Sequence, residues 1–452
     1  MEFSTKVVEK MAEMMAEEMG NLMPGPQDIR EIETGMRDLL RQVGAEGLKR
    51  YLESADEAEP LAKEKDCKCQ GKQQYLFRRA AVILSVFGRV SYKRRYYVCK
   101  TCSCGASPLD MRLHIAAGEV TAGLAELLAL AGVETAFAES SRFIERFLLF
   151  RVSDNTLRKE TERFGELQKA REEEWKRQSQ DEAWLQVRLQ KYGKQAGRLY
   201  GSIDGVMAPC KGEWREMKNI AWYHVETIRS YEKRRHHASV VGEQNDLQAR
   251  NITYHCDIQS PDQFGNLFWT TACQRDADLF EELVFVCDGA VWIWKLIERH
   301  FPHAVQIVDW YHASEYLPPI AEAAFGKDTP EYHAWLEQAR SLLWEGQIDA
   351  LIHDCQLFSS TPAAQKAVHD AVSYFTNNHK RMDYARFRQQ GYFIGSGTVE
   401  SAGKQIAGLR LKRAGARWTE TGAVATAKAR AAWLCNQWDD LAVRRAILPL
   451  AV

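Results

Sequence analysis

The 452-residue chain balances 60 Lys/Arg against 61 Asp/Glu at 45% hydrophobic content, which excludes a disordered polymer and leaves room for roughly two to four domains. No apolar run approaches the ~20 residues of a membrane span, and the Met-rich start lacks a signal-peptide core, so a cytoplasmic, nucleoid-associated protein is expected. The near-zero charge hides a division: residues 1–62 hold 14 acidic against 7 basic side chains, whereas residues 63–104 hold 2 against 11, pointing to a basic surface for a polyanion behind an acidic arm.

Within the arm, Val8, Met11, Met15, Met19 and Leu22 repeat at helical spacing up to Pro24-Gly25-Pro26. Ile29, Ile32, Met36, Leu39 and Val43 begin a second stripe. Both stripes are expected to pack on the body of the protein or to form a dimer contact. Residues 63–110 change character. Cys67-x-Cys69 and Cys99-x-x-Cys102 flank two β-like runs, AVILSVFG and VSYKRRYYV, and two cysteine knuckles on a hairpin make a zinc ribbon. Four thiolates closing a tetrahedron around Zn²⁺ would be structural, with no position left for catalysis. Cys104 offers an alternative fourth ligand. The other six cysteines stand singly, as small core residues of a reducing compartment do.

Residues 111–194 read as helices. VTAGLAELLALAG and ETAFAESSRFIERFLLF are amphipathic, and VSDNTLRKETERFGELQKA opens on a Ser153/Asp154 cap. Short helices before a capped polar one fit a helix-turn-helix, although any three-helix packing gives the same pattern. REEEWKRQSQDEAW is expected to be a charge-mixed helical linker. A further module starts at 195. LYGSIDG ends a strand on Asp204, LVFVCDG ends one on Asp288, and AVQIVD ends one on Asp309. NIAWYHVETI and NITYHCDI are further strands, and AVWIWKLIERHF is a helix. Residues 316–390 read as all-helical, with Thr329-Pro330 and Thr361-Pro362 as helix starts. The chain returns at 391–452 to a Gly-rich turn and a basic helix. The fold class is therefore α/β, a mixed sheet over 195–315 with one helical insertion ahead of its last helices.

A strand-end aspartate followed by glycine is often only a turn former, but an ionised carboxylate there costs far more than it returns unless paired or metal-bound. Asp204, a second strand-end aspartate and Glu400 in GSGTVESAGKQ suggest hard cations working on a phosphate backbone. Two Mg²⁺ (or Mn²⁺) ions about 3.5–4 Å apart supply an activated nucleophile and a stabilised leaving oxygen. They prefer carboxylate oxygens, which the chain must bring together from distant positions. Spacing alone does not choose the second aspartate: Asp288, Asp309 and Asp257 compete. Lys404, Arg410, Lys412, Arg413, Arg417, Lys428 and Arg430 follow Glu400, and Lys233, Arg234 and Arg235 form another basic patch. These are expected to contact phosphates rather than to read bases.

SIDG, CDGAVWIW, VDWYHASEYL and YFIGSGTVESAGKQIAGLRLKRAGARW together resemble DDE transposases of bacterial insertion sequences, especially the ISKra family and its relatives near the Mutator-like branch. The resemblance implies an RNase H-like core with an all-helical insertion, preceded by the zinc ribbon and a helical DNA-binding region. It implies that Asp204, Asp288 and Glu400 are the catalytic, Mg²⁺-binding triad, and that Asp309 and His312 of the Asp-x-x-His signature are auxiliary. The partners it implies are double-stranded DNA with terminal inverted repeats, target DNA, and a second copy of the chain in a homodimer or higher oligomer. Gly403 departs from the small thiol side chain common in relatives. It is expected to loosen the helix behind Glu400, at about 1 kcal/mol against Ala, without touching a ligand. Two readings of other classes stand beside this one. A transposase-derived, catalytically idle zinc-ribbon regulator is the first. The second, a glycosidase with paired carboxylates, fits neither the cysteine cluster nor the basic helix.

Overall fold

The computed structural model describes residues 5–22, 25, 28–227, 247–359, 362–395 and 402–447. The chain divides into two compact units, Met1–Phe164 with Asp439–Val452, and Gly165–Trp438. The division between the units at 164/165 falls inside a helix.

In the first unit, strands β1 (Glu64–Asp66), β2 (Lys72–Ser85), β3 (Gly88–Cys99) and β4 (Gly105–Ala106) form an antiparallel sheet in chain order. The period-2 alternation of β2 and β3 puts Ala81, Ile83, Val90 and Tyr92 on one face, where they meet Leu52 and Leu109. Leu52 belongs to the helix Ile29–Glu57, which Asp28 opens by accepting the Glu31 amide at 2.8 Å. Glu53 and Asp56 of that helix accept the amides of Lys93 and Arg95 at 2.9 and 3.0 Å. From Ile29 to Glu57, the acidic arm packs on the sheet of this unit. Its expected stripe splits, with Ile32 and Leu39 half-buried while Ile29, Met36 and Val43 are exposed.

Three helices follow, Ala122–Glu134, Phe137–Leu148 and Asp154–Ser179. The third is one continuous element of 26 residues that runs into the charge-mixed stretch REEEWKRQSQDEAW, which is helical apart from the step at Gln180–Asp181 before the helix Glu182–Tyr192. Its polar residues Glu160, Thr161, Gln168, Arg171 and Glu172 are buried, which makes it a structural helix along that face. Glu160 pairs at 3.3 Å with the buried Arg445 of the closing helix Trp438–Ile447.

The second unit is built on five strands, β5 (Gln195–Cys210), β6 (Glu213–Thr227), β7 (Leu247–Asp257), β8 (Phe280–Cys287) and β9 (Val305–Val308). Their order is β7-β6-β5-β8-β9. The first three make an antiparallel meander, and β8 and β9 join parallel to β5. One face is covered through an aromatic cluster in which Trp222 lies 5.5, 5.7 and 6.4 Å from the rings of Phe268, Phe285 and Phe301. The helix Glu420–Leu434 packs against β7. From Trp310 to Gln389 the described residues are helical in every regular element, as the sequence predicts. The Tyr384 hydroxyl ties this stretch to β9 through the Val308 carbonyl at 2.9 Å. Among the described residues, no helix is long and apolar enough to cross a membrane.

Candidate functional site

Strand register sets the acidic residues side by side. From Arg198↔Glu282 to Gly201↔Phe285, each β5 residue pairs with the β8 residue 84 positions on. The Ile203 amide reaches the Cys287 sulfur at 3.4 Å, so the offset carries to the strand end and puts Asp288 level with Asp204. Between β8 and β9 the offset is 21, up to Cys287↔Val308, and the Asp309 amide donates to the Cys287 carbonyl at 2.8 Å. Asp204, Asp288 and Asp309 therefore form a row across adjacent strands, which lie roughly 4.8 Å apart. The Cys287 thiol senses all three. Burial first, then the charges of Asp288, Asp204 and Asp309, push it well above its usual range.

Each aspartate is held differently. Asp288 is half-buried, and its carboxylate accepts the Ala290 amide at 2.9 Å. Its own carbonyl accepts the Tyr374 hydroxyl at 2.6 Å, and Tyr374 stacks on Tyr316 at 4.1 Å. Gly289 follows at φ +96°, and a Cβ there would meet the Tyr374 ring at 2.8 Å, so the turn requires glycine. Burial raises the Asp288 pKa, and the charges of Glu216 and Asp309 add to that, while the Ala290 amide and His312 oppose it. Asp309 is fully buried and caps the short helix Trp310–Ser314, accepting the His312 amide at 2.8 Å and lying 3.2 Å from His312 Nδ1.

Asp257 does not join this row. It ends β7 and lies 3.0 Å from the buried Lys428, which also holds Glu172 at 2.5 Å. That carboxylate is a structural ion-pair partner.

Glu400 lies outside the described residues, as do Lys233, Arg234 and Arg235. The flanks of its segment are described. The Trp310 amide donates to the Ile394 carbonyl at 3.2 Å, which ties the GYFIG run to the Asp309 end of the row. On the other flank, a Cβ at Gly403 would sit 2.5 Å from Val206 Cγ2 and 3.1 Å from Asp204 Oδ2. A side chain at position 403 would thus meet Asp204, so the glycine stands beside a proposed ligand that a larger residue would displace.

The basic helix expected behind Glu400 is two elements, a π-helical segment Lys404–Leu411 and the helix Glu420–Leu434. Segments of π-helix are rare and concentrate at functional sites. Lys404, Lys412 and Arg417 are exposed and Arg413 is half-buried. Arg410 is buried over the Trp418 ring at 4.9 Å, and Lys428 and Arg430 are also buried. Burial removes these three from the residues that can reach a phosphate.

The cysteine cluster sits in the first unit. Cys67, Cys69, Cys99 and Cys102 place their sulfurs within 4.8 Å of one another, and this group could hold a structural metal such as zinc. Two similar backbone loops present them. Cys67 and Cys99 donate their amides to the carbonyls of Gly71 and Cys104, and each loop contains one left-handed residue, Gln70 and Ser103. The Cys102 amide, foremost, lowers the Cys99 pKa to about 6, while the neighbouring thiols push Cys69 and Cys102 up, so one thiolate forms readily and the others need a positive charge such as a metal's beside them. Cys104 is exposed and outside the group of four.

A family model matches residues 26–441, a span that includes both the cysteines and the carboxylates. The chain belongs to the uncharacterised protein family UPF0236. No curated protein matches it.

Sequence reasoning missed three residues at the site of this UPF0236 protein, all on β6. Glu216 lies over Gly205, Lys218 pairs with Glu216 at 2.5 Å and lies 5.1 Å from the centre of the Trp292 ring, and Asn219 faces Asp204 across the β5–β6 pair. The signal available was EMKNIAW, in which Lys218 and Asn219 stand directly before the apolar run IAWY.

Proposed function

We propose that this UPF0236 protein is a DDE-type DNA transposase, which cuts at the ends of an insertion sequence and joins the freed 3′-hydroxyl to target DNA. The observation that carries the reading is the register: Asp204, which lies within β5 and not at its end as expected, is level with Asp288, which follows the last residue of the parallel neighbour β8, and the segment bearing Glu400 has its two flanks beside the same row. A meander followed by two parallel strands, in the order β7-β6-β5-β8-β9, also suits the RNase H-like core that the motifs imply.

The residues fit a hard divalent cation. The donors are carboxylate oxygens, and Asp288, whose surroundings disfavour its charge, gains most from a positive neighbour. Beside them, Asn219 Oδ1 is a buried acceptor for which no described residue supplies a donor. Asp204, Asp288 and Glu400 would hold Mg²⁺ or Mn²⁺, which supplies an activated oxygen nucleophile and neutralises the leaving oxygen in phosphodiester chemistry. The chain's own residues do the rest. Tyr374 and Gly289 fix the Asp288 backbone. Asp309 holds His312 through Nδ1, which orients the imidazole in electrostatic reach of Asp288. Lys404, Lys412 and Arg417 are exposed cations for the DNA backbone. The cysteine cluster, with Zn²⁺ bound, would brace the hairpin that engages the terminal inverted repeats, and holding two ends requires at least two copies of the chain.

The test is strand cleavage by the purified protein with Mg²⁺ on DNA carrying the inverted repeats that flank its gene. Cleavage at the repeat boundary is expected, with loss in Asp204→Asn and Glu400→Gln while end binding persists. Cleavage that survives both substitutions defeats the reading. Binding without cleavage by the unaltered protein favours an idle zinc-ribbon regulator instead.

A further inference from the structure

Asn219 has no evident reason to be an amide. It is completely buried, and the neighbouring β6 residues Met217, Ile220 and Ala221 are apolar and equally buried. It stands directly opposite Asp204 in the antiparallel β5–β6 pair. Opposed residues share a sheet face, with Cβ atoms roughly 5 Å apart. Nδ2 donates to the Met217 carbonyl at 3.0 Å, and that bond fixes which way the amide points. Oδ1 is then left inside the protein with no donor from any described residue. A buried acceptor in that state is a net cost, and a leucine of similar size would avoid it.

The cost has an explanation in what lies opposite. Hard divalent cations take asparagine carbonyl oxygens as well as carboxylates, and they keep part of their water shell. Asp309 and Glu216 already work against the charge on Asp288, the neighbour of Asp204 in the row. A neutral oxygen contributes a further acceptor without further repulsion. We propose that Asn219 is a positioning residue of the cation site, its Oδ1 facing the hydrated cation held by Asp204, directly or through one water. The inference rests on the cation reading of Asp204 and Asp288 given above.

Mn²⁺ titration followed by electron paramagnetic resonance, on full-length zinc-loaded protein without DNA, separates the two claims. Asn219→Leu keeps the volume and removes the acceptor. It is expected to weaken Mn²⁺ binding about tenfold or more, the range usual for groups that orient metal ligands, with Tm unchanged or raised. Asn219→Asp restores an oxygen and is expected to recover Mn²⁺ binding, whereas Asp204→Asn is expected to abolish it. If Asn219→Leu binds Mn²⁺ as the unaltered protein does while Asp204→Asn does not, Asn219 is only structural and the inference falls alone. If Asp204→Asn also binds normally, the cation reading falls with it. Should Asn219→Leu not fold, Asn219→Ser, which shortens the side chain out of reach, decides by the same comparison.

Discussion

Asp257 and Asp288 look alike in sequence, since each ends an apolar strand of the same sheet, yet they meet opposite surroundings. Asp257 faces the buried Lys428, which together with Glu172 and the adjacent His255 forms a closed cluster of charges. Among the described residues, Asp288 forms no ion pair of this kind. Its carboxylate rests on one backbone amide, and burial together with two nearby carboxylates works against its charge. A buried ion pair is a structural solution, because each charge offsets the desolvation of the other. A buried carboxylate held by a single backbone amide, as at Asp288 among the described residues, carries a cost that the fold alone does not repay. Chemistry is therefore to be sought at Asp288, and stability at Asp257.

The sharpest way to break this contrast is to neutralise each aspartate in turn. Asp288→Asn is expected to reduce Mg²⁺-dependent strand cleavage by at least about a thousandfold, equivalent to roughly 4 kcal/mol, with little change in Tm. Asp257→Asn is expected to lower Tm while the surviving folded protein still cleaves. Cleavage rates and melting curves on both variants decide it, and an equal effect of the two on cleavage would remove the distinction.

Lys428→Met tests the other side. It leaves Glu172 and Asp257 buried without their cation, and breaking a buried pair in this way costs about 3–5 kcal/mol. A loss below about 1 kcal/mol in denaturant unfolding would mean that water reaches the cluster. The pH dependence sharpens the same point. Burial opposes the charge on Glu172, but Lys428 and His255 outweigh it and hold the pKa at about 2, against 4.5 without such partners. Asp257 and Arg171 also face this cluster, and burial keeps His255 below its usual range. A depressed carboxylate pKa gives stability that is complete above about pH 4.5 and lost as pH falls toward 2. The contribution is on the order of 3 kcal/mol. Unfolding free energies of Glu172→Gln should accordingly fall less steeply than those of the unaltered protein between those two pH values.

These contrasts also mark what the sequence could and could not reveal. The cysteine cluster was legible because one hairpin carries all four ligands, and local loop geometry does the assembling. Strand-end aspartates were visible as a class, but their ranking depended on what faces them. Lys428 lies 171 residues beyond Asp257, and only packing brings the two together. The same limit hid Asn219, whose significance comes from a cross-strand partner and an unfilled oxygen. It also hid the burial of Arg410 and Arg430, because long basic side chains read as solvated unless the surrounding structure is known. Met36 and Val43 are exposed, so of the two uses expected for their stripe they do not serve packing on the body, and spacing alone could not choose between that and a contact with a second copy.

Gly403 gives the smallest effect and the finest test. Intrinsic helix propensity alone says that Gly403→Ala should stabilise by about 1 kcal/mol. Packing says the reverse, because the added methyl would lie 2.5 Å from Val206 Cγ2 and 3.1 Å from Asp204 Oδ2. Overpacking of this kind costs about 1–3 kcal/mol, so the two terms leave a net destabilisation of up to about 2 kcal/mol. Val206 can yield by turning, but a displaced Asp204 would raise the Mg²⁺ concentration needed for half-maximal cleavage. Gly403→Ala is thus expected to lower Tm by a few degrees and to shift the Mg²⁺ dependence upward, with Gly403→Val doing both more strongly. A raised Tm with an unchanged Mg²⁺ requirement would mean that the segment behind Glu400 does not press on Asp204, and the contrast between the row and the closed cluster would lose its nearest neighbour.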